Sequence, residues 1–109
     1  MREFIVATAQ ALQNGQADLP QLVRALEQLS ETLEAVENQY ASGPEEEEGL
    51  RQALLRSLRL YQLSLDILHQ CCLANPNLEQ LERAVASADE AENGLDEVEY
   101  WAVSEDFQP

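Results

Sequence analysis

The sequence predicts an all-α protein: a small antiparallel bundle of three to four helices built on a long helical hairpin. Apolar residues, mostly Leu and Ala, form 45% of the 109 residues, and they recur at helical spacings. The four glycines and four prolines leave long uninterrupted stretches for helix. We expect a single helical-bundle domain over residues 1–103, followed by a frayed C-terminal tail at 104–109.

A turn signal separates the first two helices. The first is expected over about 3–13 and should end at Asn14-Gly15, because glycine readily adopts the left-handed conformation that ends many helices. Asp18 stands three residues before Gln21, the spacing of a capping box, and begins a second helix that continues to about residue 40. The apolar stripe of this helix has spacings of three and four and comprises Leu19, Leu22, Leu26, Leu29, Leu33, Val36 and Tyr40.

Similar signals bound two further helices. Ser42 and Glu45 have capping-box spacing at the start of a third helix that continues to about residue 74. Asn75-Pro76 then ends that helix, and Asn75 is expected to cap the fourth. The fourth helix should break or kink at Asn93-Gly94. Because the link between the second and third helices is short, these two should form the antiparallel hairpin, with the other helices packed beside it.

The third helix is apolar on more than one side. A helix with so wide an apolar surface must lie centrally in the bundle or face a second subunit. One heptad-like stripe comprises Leu54, Leu58, Tyr61, Leu65, Leu68 and Cys72, and a second set comprises Ala53, Leu60, Leu63, Ile67 and Cys71.

Charge supports a central position for the third helix. The chain carries 21 acidic and six basic residues, a formal net charge of −15, which disfavours binding to nucleic acid or to an anionic membrane. Residues 50–75 hold three Arg against one Asp, whereas residues 76–109 hold ten acids against one Arg. Compensation between packed helices explains this asymmetry, and recruitment of a basic partner by the acidic C-terminal third is the alternative.

Localisation in the cytoplasm is expected. No run of eighteen apolar residues is present to span a membrane, and Glu3 interrupts the short apolar patch near the N-terminus. Cys71 and Cys72 are adjacent and point about 100° apart on a helix, so they cannot bond to each other without disrupting it. The absence of a disulfide framework agrees with a reducing compartment.

No constellation of residues predicts an enzyme, a cofactor or a metal site. Asp66, His69 and Cys72 recur at intervals of three, but a closed zinc site needs four ligands and His69 is the only histidine in the chain. An activating base for either thiol is also missing, because His69 and Cys71 do not face each other on a helix. A metal- or redox-responsive regulator that uses His69, Cys71 and Cys72 remains the alternative.

The function expected from these patterns is a non-enzymatic protein–protein interaction module. Its interaction face would contain Leu60, Leu63, Ile67 and Trp101, and its partner would be a basic or helical protein, with a homodimer as the expected assembly. Small size, acidity and helical composition are shared with many secretion chaperones and adaptor subunits, an analogy of class that assigns no residue. Trp101 can instead fold back over the end of the bundle. A purely structural helical domain is the second alternative.

Overall fold

Four helices confirm the predicted all-α fold. The structure is a computed structural model that describes residues 1–41, 48–74 and 77–106, with side chains described as far as Glu99. Its helices are α1 (Arg2–Gln13), α2 (Leu19–Tyr40), α3 (Glu48–Leu73) and α4 (Leu78–Asp106). Because α4 continues to Asp106 and the last three residues lie outside the described ranges, the division between domain and frayed tail stays a prediction.

The turn between α1 and α2 has the predicted geometry. Gly15 has a φ of 69°, the left-handed conformation. The amides of Gly15 and Gln16 donate to the carbonyls of Leu12 and Ala11, the pattern of a Schellman motif. The side chain of Asp18 then accepts a hydrogen bond from the Gln21 amide at 3.4 Å, which caps α2 as predicted.

The start of α4 corrects one prediction. The helix begins at Leu78, so the cap position belongs to Asn77 and not to Asn75. The Asn77 side chain accepts a hydrogen bond from the Glu79 amide at 2.8 Å, and its carbonyl accepts from the Leu81 amide. The expected caps Ser42, Glu45 and Asn75 lie outside the described residues.

Helix α3 occupies the centre of the bundle, as predicted. Its backbone lies close to those of α1, α2 and α4, whereas α2 approaches α3 alone.

The hairpin of α2 and α3 is antiparallel, since Ser30 meets Gln62 and Glu27 meets His69 further along α3. Helix α1 runs antiparallel to α4, with the guanidinium of Arg2 paired to Asp89 and Glu92.

The most extensive helix packing is between α3 and α4 rather than within the hairpin. Small residues allow this close approach, and two hydroxyls cross the seam. Ser64 Oγ donates to the Ala84 carbonyl at 2.8 Å, and Ser87 Oγ donates to the Leu60 carbonyl at 2.7 Å. The residues that line this seam are Ser57, Ser64 and Cys71 on α3 and Ala84, Ser87, Ala88, Ala91 and Gly94 on α4.

The predicted break at Asn93-Gly94 is wrong, because α4 passes through these residues without interruption. Gly94 has a packing role instead. A Cβ atom at this position would overlap the hydroxyl of Ser57, which is itself buried. Glycine therefore lets the two helix backbones approach each other here.

The buried face of α3 differs by one residue from the predicted stripe at both ends. Leu55 and Cys71 are buried where Leu54 and Cys72 were expected, and the latter two are half-buried against the core. The small buried residues Ser57 and Ser64 widen the face toward α4. The core residues shared by the four helices are Ile5, Leu12, Leu26, Leu33, Leu58, Tyr61, Leu65, Leu68, Leu81, Ala84 and Ala88, among others.

Helix α2 presents a polar outer surface, with one exception among its glutamates. Glu27, Glu31 and Glu34 are exposed, whereas Glu37 is half-buried. At the two ends of its apolar stripe, Leu19 and Tyr40 are exposed. None of the helices in the described part of the chain combines the length and apolar character needed to cross a membrane.

Candidate interaction face

The second apolar set of α3 lies mainly on its outward side. Leu63 is 45% exposed and Ala53 is also exposed, whereas Leu60 and Ile67 are half-buried against the core. Cys71, expected in the same set, is buried in the seam with α4. Of the four predicted interaction residues, three therefore lie together on α3. Trp101 lies on α4, and its side chain is outside the described part of the structure.

The neighbours of Leu63 explain why its side chain points outward. Gln62 contacts Ser30 of α2, and Ser64 donates to the Ala84 carbonyl of α4. Successive residues are about 100° apart around an α-helix, so Leu63 projects between the directions of its two neighbours. The positions of α2 and α4 thus leave this one side of α3 uncovered.

A shallow groove of ≈ 610 Å³ follows the exposed side of α3. We name this surface, together with Asp66 and Ile67 that continue it, the α3 outer face. The groove is open to solvent along one helix and is not an enclosed pocket for a small molecule. Its lining residues are Gln52, Ala53, Arg56, Arg59, Leu60 and Leu63.

Two arginines mark the α3 outer face. Arg56 and Arg59 are exposed, and no carboxylate of the described residues lies within ion-pair distance of either guanidinium. The one acid on this face, Asp66, accepts a hydrogen bond from Gln62 Nε2 at 3.3 Å and is in no ion pair in the same part of the structure. In a chain with a net charge of −15, this face is a local region of positive charge.

The residues considered for metal binding diverge in the structure. His69 Nε2 lies 3.5 Å from Glu27 Oε1 of α2, and Cys71 Sγ lies 3.8 Å from Gln80 Oε1 of α4. Cys71 and Cys72 both border a cleft at the end of the bundle, whereas His69 borders another between α2 and α3. Over residues 1–41, 48–74 and 77–106, no three potential ligands among His, Cys, Asp and Glu come together as a metal site.

Both thiols lie in surroundings that suppress ionisation. Burial raises the pKa of Cys71, although a hydrogen bond from the Asn77 backbone opposes the effect, and burial followed by the nearby Cys71 raises the pKa of Cys72. Reactive cysteines need the opposite environment, one that stabilises the thiolate. The two thiols therefore have the character of core residues.

A second exposed apolar region was missed by the sequence patterns. Leu19 and Leu73 border a common cleft of ≈ 380 Å³ where α1, α2 and α3 meet, and Leu73 is 70% exposed. Both leucines stand at helix ends, where a periodic stripe does not show whether a neighbour covers the residue. In the sequence, only the position of each leucine at the end of a predicted helix indicated that it could be exposed.

Comparison of the chain with protein-family models, with curated proteins and with solved structures finds no match.

Proposed function

We propose that the protein is a non-enzymatic interaction module that binds a helix of a protein partner on the α3 outer face. The observation that carries this proposal is the exposure of Leu63 between Leu60 and Ile67, on the side of the central helix that no other helix covers in the described part of the chain. An adaptor or chaperone-like protein of the cytoplasm is the most concrete form of this function.

The mechanism of binding would be burial of a helix against a groove. Apolar side chains of the partner at positions i, i+3, i+4 and i+7 would lie along Leu60, Leu63 and Ile67. Full burial of a leucine contributes about 1.5–3 kcal/mol, and Leu63 is exposed by slightly less than half. A face of this size supports a weak and reversible complex.

The charge of the face refines the kind of partner. The net charge of the whole chain favours a basic protein at long range. Within the contact itself, Arg56 and Arg59 favour carboxylates on the partner helix, because each guanidinium would otherwise be desolvated without an ion pair. The partner helix should therefore combine apolar anchors with acidic residues beside them.

The partner can be a different protein or a second copy of the chain, and the expected homodimer is included in this proposal. The alternative of a metal- or redox-responsive regulator has no support from the positions of His69, Cys71 and Cys72. A purely structural domain is the alternative that remains to be tested against binding.

Site-specific photo-crosslinking in cells of the source organism tests the proposal. A photoreactive residue at position 63 should give crosslinks that mass spectrometry assigns to an apolar helical segment. The matched control carries the same residue at Leu19, which is 43% exposed on another surface. A probe at position 63 that yields no crosslink, or only the products seen at position 19, would refute binding at the α3 outer face.

A further inference from the structure

Two pairs of residues on the α3 outer face are separated by seven positions. Arg59 and Asp66 form one pair, and Leu60 and Ile67 form the other. Seven residues correspond to nearly two helical turns, so the members of each pair have almost the same direction around the helix. The charged pair therefore borders Leu63 on one flank, and the apolar pair borders it on the other.

This arrangement is complementary to itself in one orientation only. When two identical helices pack antiparallel about a two-fold axis perpendicular to them, each flank meets the same flank of the other copy. On the charged flank, Arg59 of each copy then lies opposite Asp66 of the other copy. On the apolar flank, apolar side chains lie opposite apolar side chains. In a parallel pair the flanks would be exchanged, which places Arg59 against Leu60 or Ile67.

The two pairs also agree on the register. The midpoint between residues 59 and 66 falls between Gln62 and Leu63, and the midpoint between residues 60 and 67 falls between Leu63 and Ser64. Both midpoints lie beside Leu63, the most exposed large apolar side chain among the groove residues. A single two-fold axis next to Leu63 therefore aligns the residues of the charged flank and those of the apolar flank at the same time.

We propose that the α3 outer face binds a second copy of the chain, with the two α3 helices antiparallel about a two-fold axis beside Leu63. In this dimer Arg59 of each copy pairs with Asp66 of the other, and Leu60 packs against Ile67. This inference rests on the proposed function, since it names the partner of the same face. The argument for this occupant is charge complementarity: Arg59 and Asp66 are both exposed, and neither forms an ion pair in the described part of the structure.

Charge reversal at the two positions tests the orientation and the register. In Arg59→Asp, two acids face each other at both ends of the contact, and in Asp66→Arg two cations do so. Each variant alone should dimerise about ten-fold more weakly than the wild type, because ion pairs are replaced by like-charge contacts. An equimolar mixture should form a heterodimer of nearly wild-type affinity, since every contact in it again joins opposite charges.

Sedimentation velocity over a range of concentrations measures these equilibria, and circular dichroism verifies that each variant is folded. The matched control is Arg24→Asp, which makes the same change of charge at an exposed position on α2. This control should leave the dimerisation constant within about two-fold of wild type. Recovery in the mixture, with no effect of the control, would support the antiparallel dimer.

Three results would overturn the inference. They are a wild-type protein that stays monomeric at millimolar concentration, charge reversals that leave dimerisation unchanged, and a mixture that shows no recovery. Leu63→Glu, in a chain that carries the photoreactive residue at position 56 of the same groove, distinguishes these failures from failure of the proposed function. If this variant abolishes crosslinking to a different protein while the wild type is monomeric, the face binds a partner but not a second copy.

Discussion

At the scale of single residues, small side chains determine how closely α3 and α4 pack. Ser57 and Gly94 stand opposite each other in the seam, and a Cβ atom added at Gly94 would lie 3.5 Å from Ser57 Cβ, an ordinary contact distance. The overlap that it would create is therefore with the Ser57 hydroxyl alone. Glycine is therefore required at position 94 only while position 57 is serine.

Gly94→Ala should consequently destabilise the protein despite the better helix propensity of alanine. Overpacking costs about 1–3 kcal/mol, and alanine regains about 1 kcal/mol relative to glycine inside a helix. In a Ser57→Ala background the overlap disappears, and Gly94→Ala should become neutral or stabilising. Urea unfolding of the wild type, both single variants and the double variant gives the coupling free energy.

Additive effects of the two substitutions would contradict this account of the seam. Gly49→Ala is a suitable control, because no atom of a neighbouring residue lies within 4 Å of a Cβ atom at that position in the described structure. It should stabilise α3 slightly in both the serine and the alanine background, since it reports helix propensity without the overlap.

At the scale of elements, the sequence predicted the buried face of α3 only in part. Its apolar periodicity correctly indicated a central helix. Ser57 and Ser64 belong to neither predicted apolar set of this helix, although both are buried. A serine can be buried on a helix when its hydroxyl bonds a backbone carbonyl, as Ser64 does with Ala84. Hydrophobicity patterns do not show such a bond.

The seam on α4 was missed for a related reason. Its buried residues are mainly Ala and Ser. Leu81 is the large apolar side chain buried among them in the described structure, whereas Leu78 is 53% exposed. Small residues give a weak hydrophobic signal, and their use in close helix packing becomes visible only when the partner helix is known. The sequence showed that α4 is a helix, but not which side of it meets α3.

Burial of three ionisable groups on α3 predicts a loss of stability at alkaline pH. Burial, followed by Glu92 and Asp96, raises the pKa of Tyr61, and burial raises the pKa of Cys71 and Cys72 above the ordinary value of 9.0. Above pH 9 the unfolded chain loses thiol protons that the folded chain retains. The free energy of unfolding should therefore fall as the pH rises beyond this value.

Denaturant titrations between pH 7 and 10 measure this dependence. The variant with Cys71→Ala and Cys72→Ala lacks both thiols and retains Tyr61, so its stability should begin to fall only near pH 10. An identical pH profile for this variant and the wild type would mean that the thiols ionise equally in the folded and unfolded chains.

At the scale of the whole molecule, charge opposes the compact state. A net charge of −15 is distributed over a bundle with extents of 54 × 21 × 18 Å, and α4 carries most of the excess acid. The ion pairs of Arg2 with Asp89 and Glu92 are partly exposed and offset little of this repulsion.

Added salt should therefore stabilise the protein. Raising sodium chloride from about 10 mM to about 500 mM shortens the Debye length from about 30 Å to a few ångströms, which screens the repulsion among the acids. Calorimetry should show a rise of a few degrees in Tm. Glu90→Gln and Glu97→Gln, both on exposed positions of α4, should raise Tm at low salt and have little effect at high salt. A Tm independent of salt would contradict a major role for this repulsion.

The overall arrangement was largely predictable, whereas the candidate face was predictable only in part. Asn14-Gly15 and Asp18 marked helix ends because their local chemistry determines backbone geometry without help from distant residues. The outward direction of Leu63 depends on where α2 and α4 pack, and this is a tertiary property. The sequence could therefore name Leu60, Leu63 and Ile67 as candidates, but it could not decide between a core and an exposed position for them.

The attachment of α2 to α3 alone has a consequence for partial unfolding. Helices α1, α3 and α4 are each in contact with the other two, so loss of any one of them disrupts two packing surfaces. Among the described residues, helix α2 has close backbone packing with α3 alone, and its side chains otherwise only border a cleft with α1. Separation of α2 is thus the least costly opening of the bundle, and it would uncover the side of Leu65 that now packs beneath Leu26. We therefore expect the first partially unfolded form of the protein to be a three-helix core with α2 detached.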